Sequence, residues 1–153
     1  MIKEGSKHLP ITHKDMTRFW ITLNQGIDFV LNSLLRMQGG EIFIPKIPSV
    51  LITDLAKAMA PSLEIKIIGI RPGEKLHEIM CPADDSHLTI EFDDYYVIRP
   101  SIVFFSRTID FNTNITGEVG RNASLGYEYN SGTNDDFLTT NQIIEYNKSS
   151  IYE

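Results

Sequence analysis

Arg71 and Glu74 flank the dipeptide Pro72-Gly73 within the stretch Ile68-Gly69-Ile70-Arg71-Pro72-Gly73-Glu74-Lys75-Leu76-His77-Glu78. A guanidinium is a planar fork that can hold a phosphate through two parallel hydrogen bonds. A carboxylate can accept hydrogen bonds from a pair of sugar hydroxyls. Phosphate next to sugar is what a nucleotide-sugar presents. A further arginine, Arg18, lies upstream in Met16-Thr17-Arg18-Phe19-Trp20. Arg18, Arg71 and Glu74 together could grip one nucleoside diphosphate. Each also has a plainer reading. A turn arginine is often a solvated charge, Arg18 has Asp15 and Glu41 as alternative partners, and Glu74 suits the first turn of a short helix.

The elements that must position these residues are legible from apolar spacing and punctuation. Leu9 to Ile11 is a short apolar piece, and Arg18 to Ile21 reads as a strand or turn entering a helix. Thr22-x-x-Gln25 has the form of a capping box. Behind it, Ile27, Val30, Leu31, Leu34 and Leu35 recur at helical spacing, and Gly39-Gly40 ends the run. Glu41 to Pro45 reads as a strand. Thr53 is the expected N-cap of a helix over 54–60 that Pro61 stops. Ile65 to Ile70 and Tyr95 to Ile98 read as strands, and Glu74 to Met80 as a short helix. The alternation of helix and strand predicts α/β packing.

Beyond Arg107 the character changes to a polar, asparagine-bearing, Gly-bearing segment. Most of it is expected to be irregular or wrapped over the surface, with one terminal helix over 138–146. The expected division is a substrate-binding part over 1–106 and a polar extension over 107–153.

Composition bounds the function. The chain has 153 residues, enough for one ordinary domain, and a net charge of −6. That balance argues against broad nucleic-acid or anionic-membrane binding but leaves room for one anion in a local arginine pocket. A single cysteine, Cys81, excludes an internal disulfide and a cysteine-based metal cluster, and fits a reducing cytoplasm. No stretch approaches the length of a membrane span. The asparagine sequons at 114, 122 and 147 are read as chance. His8, His13, His77 and His87 are read as surface or hydrogen-bonded side chains, and Trp20 as packing. Asp84, Asp85, Asp93 and Asp94 are read as solvated loops. The sequence lacks a Gly-x-Gly-x-x-Gly loop, a Walker-type phosphate loop, a Tyr-x-x-x-Lys pair and a His-x-x-x-His or Cys-x-x-Cys spacing. It carries binding chemistry without evident reaction chemistry.

Several long motifs occur in a fixed order: Met16-Thr17-Arg18-Phe19-Trp20-Ile21-Thr22-Leu23, Gly39-Gly40-Glu41-Ile42-Phe43-Ile44-Pro45-Lys46-Ile47-Pro48-Ser49, Thr53-Asp54-Leu55-Ala56-Lys57-Ala58, and the Arg71 stretch. In these the chain resembles the C-terminal half of the inverting UDP-N-acetylglucosamine 4,6-dehydratases. These are extended short-chain dehydrogenase/reductases of bacterial surface-sugar pathways. The resemblance spans about residues 2 to 105 and resumes weakly at Tyr127 to Ser131 and Asn134 to Leu138.

The resemblance implies an α/β fold, the C-terminal substrate-binding portion of an NAD(P)-binding Rossmann-like enzyme. It implies diphosphate binding by Arg18 and Arg71, ribose contact by Glu74, and pairing of the uracil edge with the backbone around Pro10 and Thr12. It further implies a lyase that uses NADP, a Rossmann half supplied by the preceding part of the protein, and a homo-oligomer. The cofactor loop and the catalytic Asp-Lys-Tyr group of the family lie upstream of the matching region. Ile2-Lys3-Glu4-Gly5 resembles the middle of a helix. The expectation is therefore a fragment, inactive alone. The alternatives are a UDP-sugar-binding module, a related retaining 4,6-dehydratase or 4-epimerase, and a nonfunctional remnant.

Overall fold

The computed structural model of the chain describes residues 7–102 and 109–149. Ile2 to Gly5 lie outside the described residues. The chain is mixed α/β and divides into two compact units that interleave along the sequence. The first draws on 1–22, 47–78 and 130–153, the second on 23–46 and 79–129. Each unit takes segments from both sides of residue 106. The polar stretch after 109 contributes to both, and through residue 128 it is mostly irregular and exposed or half-buried.

In the first unit, β1 (His8–Ile11) pairs in parallel with β5 (Glu64–Ile67), Ile11 opposite Ile67. β2 (Thr17–Phe19) pairs antiparallel with β4 (Ser49–Leu51). A bridge from Ser49 to Phe137 lays the later segment beside β4. Helix α2 (Ile52–Met59) follows β4 without a loop. The expected Thr53 cap is not used. The helix begins two residues earlier with Leu51 in the cap position and no side-chain cap, because the Ile52 N–H donates to the Met16 carbonyl at 3.0 Å. The terminal helix α3 (Thr140–Ser149) packs against α2 and buries Ile143 completely. Thr139 and Gln142 form a reciprocal capping box at its start.

In the second unit, α1 (Leu23–Arg36) begins directly after Thr22 and ends before Gly39 and Gly40, both at positive φ. β3 (Ile42–Pro45), β7 (Thr89–Glu91), β8 (Tyr95–Ile98) and β9 (Arg121–Asn122) form an antiparallel sheet in the order β3-β8-β7-β9. β6 (Ile79–Cys81) leads into a 3-10 turn over Ala83–Leu88, and β10 (Tyr129–Asn130) straddles the division between the units. The core of this unit is Ile90, Phe92, Tyr95 and Val97, with Phe29, Phe43 and Phe111 against it. The Phe92 and Tyr95 rings stack with centroids 4.5 Å apart. Asp93 and Asp94 form the tip of the β7–β8 hairpin, closed by the Phe92 N–H on the Tyr95 carbonyl.

Helix α1 packs Phe29 against this core and lays the Arg36 guanidinium over the Tyr95 ring. Ile27, Val30, Leu31, Leu34 and Leu35, the stripe that marks the helix in the sequence, are exposed. The periodicity is correct for a helix, but the apolar face looks outward.

Cys81 is fully buried, and burial, assisted by Asp85, raises its thiol to about 12. The folded chain is expected to resist alkylation by iodoacetamide at pH 8 and to react once urea unfolds it. Labelling of the native chain at the rate of free cysteine would contradict this packing.

Candidate functional site

Arg71, Glu74, Arg18, Pro10 and Thr12 all belong to the first unit. The parallel register brings β1 and β5 to a common end, and the Ile68 N–H continues the pairing onto the Ile11 carbonyl at 2.8 Å. Thr12 leaves β1 there, and the loop to Arg71 leaves β5 there. The strand expected over 65–70 stops at Ile67, and Gly69 then takes a φ of 91°.

Arg71 to Glu74 is a tight turn with Pro72 and Gly73 at its centre. Gly73 has a φ of 79°, which a side chain would strain. The Glu74 N–H donates to the Arg71 carbonyl at 3.0 Å, and the Arg71 N–H donates to Glu74 Oε2 at 3.1 Å. The turn is thus closed by backbone on one side and carboxylate on the other. Arg71 is exposed and Glu74 half-buried.

The helix expected over 74–80 is absent. Its carbonyls are taken by other partners: Leu76 accepts from the Thr17 N–H at 3.0 Å, and Arg18 Nη2 donates to the Lys75 carbonyl at 3.0 Å. Residues 75–78 therefore run along β2, and Ile79 enters β6.

Arg18 is placed at this loop, with most of its fork committed. Nη1 donates to the carbonyls of Thr17 at 2.6 Å and Leu76 at 3.3 Å, and Nε lies 3.4 Å from the Glu78 carboxylate. Neither Asp15 nor Glu41 is its partner in these contacts. Glu41 instead accepts from the Gln38 and Gly39 N–H groups. Thr12 is buried and its hydroxyl donates to the Met16 sulfur at 3.4 Å, while Pro10 lies exposed on β1. Trp20 Nε1 donates to Asn147 Oδ1 at 3.1 Å, which ties the Arg18 strand to α3.

Sequence reasoning did not find Thr17, Ser131 or Gly132. Thr17 Oγ1 lies 2.8 Å from His77 Nδ1 and 2.7 Å from Ser131 Oγ, and Ser131 Oγ accepts the Glu78 N–H at 2.9 Å. A Cβ on Gly132 would fall 2.5 Å from His77 Nδ1. His77 is hydrogen-bonded, as its type suggested. No spacing rule connects Thr17 to Ser131, which fold together from opposite ends of the chain.

The second unit holds other charged clusters. Lys46 Nζ donates to Glu91 at 2.9 Å and lies over the Tyr96 ring, and Arg121 pairs with the same carboxylate. Burial pushes Glu91 up, but the hydrogen bonds from Lys46 and Arg121 outweigh it and hold the carboxyl below its usual range. Burial likewise acts upward on Glu118, and the bonds from Tyr95, Arg36 and Asn114 bring it down. In both clusters the opposite charges are spent on each other, which suits structure more than ligand binding. Among the described residues, no group of histidine, cysteine and acidic side chains is arranged to hold a metal ion.

The profile of the family described as "Polysaccharide biosynthesis protein" matches residues 1–100, a span that includes Pro10, Thr12, Arg18, Arg71 and Glu74. The chain belongs to this polysaccharide biosynthesis protein family. It is 56% identical over 145 residues to the UDP-N-acetylglucosamine 4,6-dehydratase (inverting) of Campylobacter jejuni, an alignment covering 95% of this chain and 43% of that protein. It is 38% identical over 101 residues to the UDP-glucose 4-epimerase of Rickettsia massiliae, covering 63% of this chain and 29% of that one. The chain therefore spans less than half the length of these relatives. In fold it is similar to Pen from Bacillus thuringiensis, with a TM-score of 0.75, 24% identity, and coverage of 97% of this chain and 43% of that one. Ser131 and Gly132 lie beyond the residues that the family profile matches.

Proposed function

We propose that this chain is the nucleotide-sugar-binding portion of an inverting UDP-N-acetylglucosamine 4,6-dehydratase, a lyase of the extended short-chain dehydrogenase/reductase type. The observation that carries the reading is the Arg71–Glu74 turn. It is closed by its own backbone and carboxylate, it leaves the Arg71 side chain at the surface, and it sits in a sequence 56% identical to such an enzyme. Arg71 binds the diphosphate, Glu74 the ribose, and the strand end at Pro10 and Thr12 the uracil edge. Arg18 serves the diphosphate mainly through the loop it clamps.

The family implies NADP, and the residues present do not form its cradle. Chain passes from strand to helix at β2–α1 through Trp20-Ile21-Thr22 and at β4–α2 directly, and neither junction holds the glycines that let backbone approach a pyrophosphate. The cofactor belongs to a Rossmann portion such as the relatives' additional length would supply. The exposed apolar face of α1 supports such a partner, because an isolated domain gains nothing by presenting Ile27, Val30, Leu31, Leu34 and Leu35 to water. We place the assembly in a reducing cytoplasm as a homo-oligomer, with no nucleic acid or membrane partner. It acts in bacterial surface-polysaccharide or flagellin-sugar synthesis.

A 4-epimerase portion is the second reading, favoured by the Rickettsia relative; the dehydratase reading has the higher identity and wider coverage. Joined in one polypeptide to the preceding portion of the Campylobacter relative, the chain is expected to release water from UDP-N-acetylglucosamine. Inversion at C4 without loss of water would favour the epimerase. A folded fusion that binds the substrate and does neither would leave a binding module.

A further inference from the structure

We infer that the hydroxyl pair Thr17–Ser131 is a latch that holds the Arg71–Glu74 turn in its binding position. The inference rests on the nucleotide-binding reading above and assigns positioning residues to that site. It brings the segment around residue 131 into the site's construction.

The loop from Arg71 to Glu78 has no secondary structure of its own and must be fixed from outside. At its start it continues from β5. At its end, Thr17 offers a backbone N–H to Leu76, and Ser131 accepts the Glu78 N–H. Both hydroxyls are buried, Ser131 completely. One assignment uses each proton once: the Glu78 N–H donates to Ser131, Ser131 to Thr17, and Thr17 to His77 Nδ1. His77, itself part of the loop, thereby closes the chain of bonds onto the segment it anchors. Ser131 also donates its own N–H to the Glu78 carbonyl at 2.8 Å, so Glu78 is held on both sides by one residue. Gly132 lies so close under the imidazole that no side chain fits there. A buried hydroxyl deprived of its partner is costly, so the network resists drift. Positioning of this kind matters because a bidentate arginine contact tolerates little displacement.

The test is calorimetric titration of UDP into the full chain, with amide exchange of residues 71–78 followed by NMR. Thr17→Val keeps the shape and removes the hydroxyl, Thr17→Ser restores the hydroxyl, and Ser131→Ala removes the other member. Thr17→Val and Ser131→Ala are expected to weaken UDP about ten-fold and to speed exchange of the Glu78 amide, while exchange in β7 and β8 stays unchanged. Thr17→Ser is expected to bind within about two-fold of the parent. The latch is overturned if Thr17→Ser loses as much affinity as Thr17→Val. It is also overturned if both deletions bind UDP normally while Arg71→Ala does not, an outcome that leaves the nucleotide reading intact. If the parent chain does not bind UDP, the nucleotide reading fails and exchange of the Glu74 amide, which closes the turn and touches neither hydroxyl, decides the latch: faster Glu74 exchange in Ser131→Ala upholds it, and unchanged exchange refutes it.

Discussion

Arg71→Ala is expected to raise the UDP dissociation constant of this chain between about ten- and a hundred-fold without unfolding it. The size follows from a charge-assisted hydrogen-bond pair, worth about 1.5–3 kcal/mol when the partner is an anion. The absence of a folding penalty follows from the turn. Its closing bonds use the Arg71 N–H and carbonyl with Glu74, and both survive loss of the side chain. Arg71→Lys separates charge from geometry. A lysine keeps the positive charge but has no planar fork, so it should recover only part of the loss. Uridine, which has no phosphate, should bind the parent and Arg71→Ala alike. Equal weakening of UDP and uridine would mean that the substitution had disturbed the turn rather than removed a phosphate contact. Unchanged UDP binding would remove Arg71 from the site.

Where sequence was informative, a local rule was sufficient. Ile42 to Ile44 and Tyr95 to Ile98 are short apolar runs and became β3 and β8. The helical stripe from Ile27 to Leu35 became α1, ended by glycines. The Arg71-Pro72-Gly73-Glu74 turn was legible because proline and glycine dictate its backbone. Where sequence failed, a distant partner had outbid the local preference. Residues 74–80 have helical composition, yet Thr17 and Arg18 take the carbonyls of Lys75 and Leu76 that a helix would need. Thr53 is a sound cap residue, yet Met16 supplies a carbonyl to the Ile52 N–H and the helix starts there. The polar segment after 109 reads as surface because few of its residues are apolar, although it buries Tyr129 and Ile143 and, with them, the polar Asn114 and Ser131. Asn114, Ser131 and the strand pair at Arg121–Asn122 carry no apolar signal, and each is fixed by partners far away in the sequence. The direction of an amphipathic face is also not local. Periodicity identified α1 and said nothing about whether its apolar side would meet this chain or something else.

Alanine at Gly120 is expected to destabilise the second unit by about 2–3 kcal/mol, among the larger effects of adding one carbon. A Cβ there would lie 2.6 Å from Ile90 Cγ2 and 2.9 Å from two atoms of the Phe92 ring. Neither neighbour has room to yield. Ile90 is fully buried on the central strand β7, and its Cγ2 is fixed by a branched side chain close to the backbone. Phe92 is stacked on Tyr95, which is buried in turn and covered by the Arg36 guanidinium 4.5 Å from its ring centre. Gly120 cannot retreat either, because its N–H donates to the Asn112 carbonyl at 2.8 Å. The same substitution at Gly26 supplies the control. That residue lies in α1 with nothing within 4 Å of its would-be Cβ, so alanine there should stabilise by about 0.5–1 kcal/mol through helix propensity. Urea denaturation of the two variants and the parent should thus give shifts of opposite sign from one chemical change. Shifts of the same sign would mean that backbone entropy, rather than the closeness of Ile90 and Phe92, governs Gly120, and that the packing of this core is looser than its distances imply.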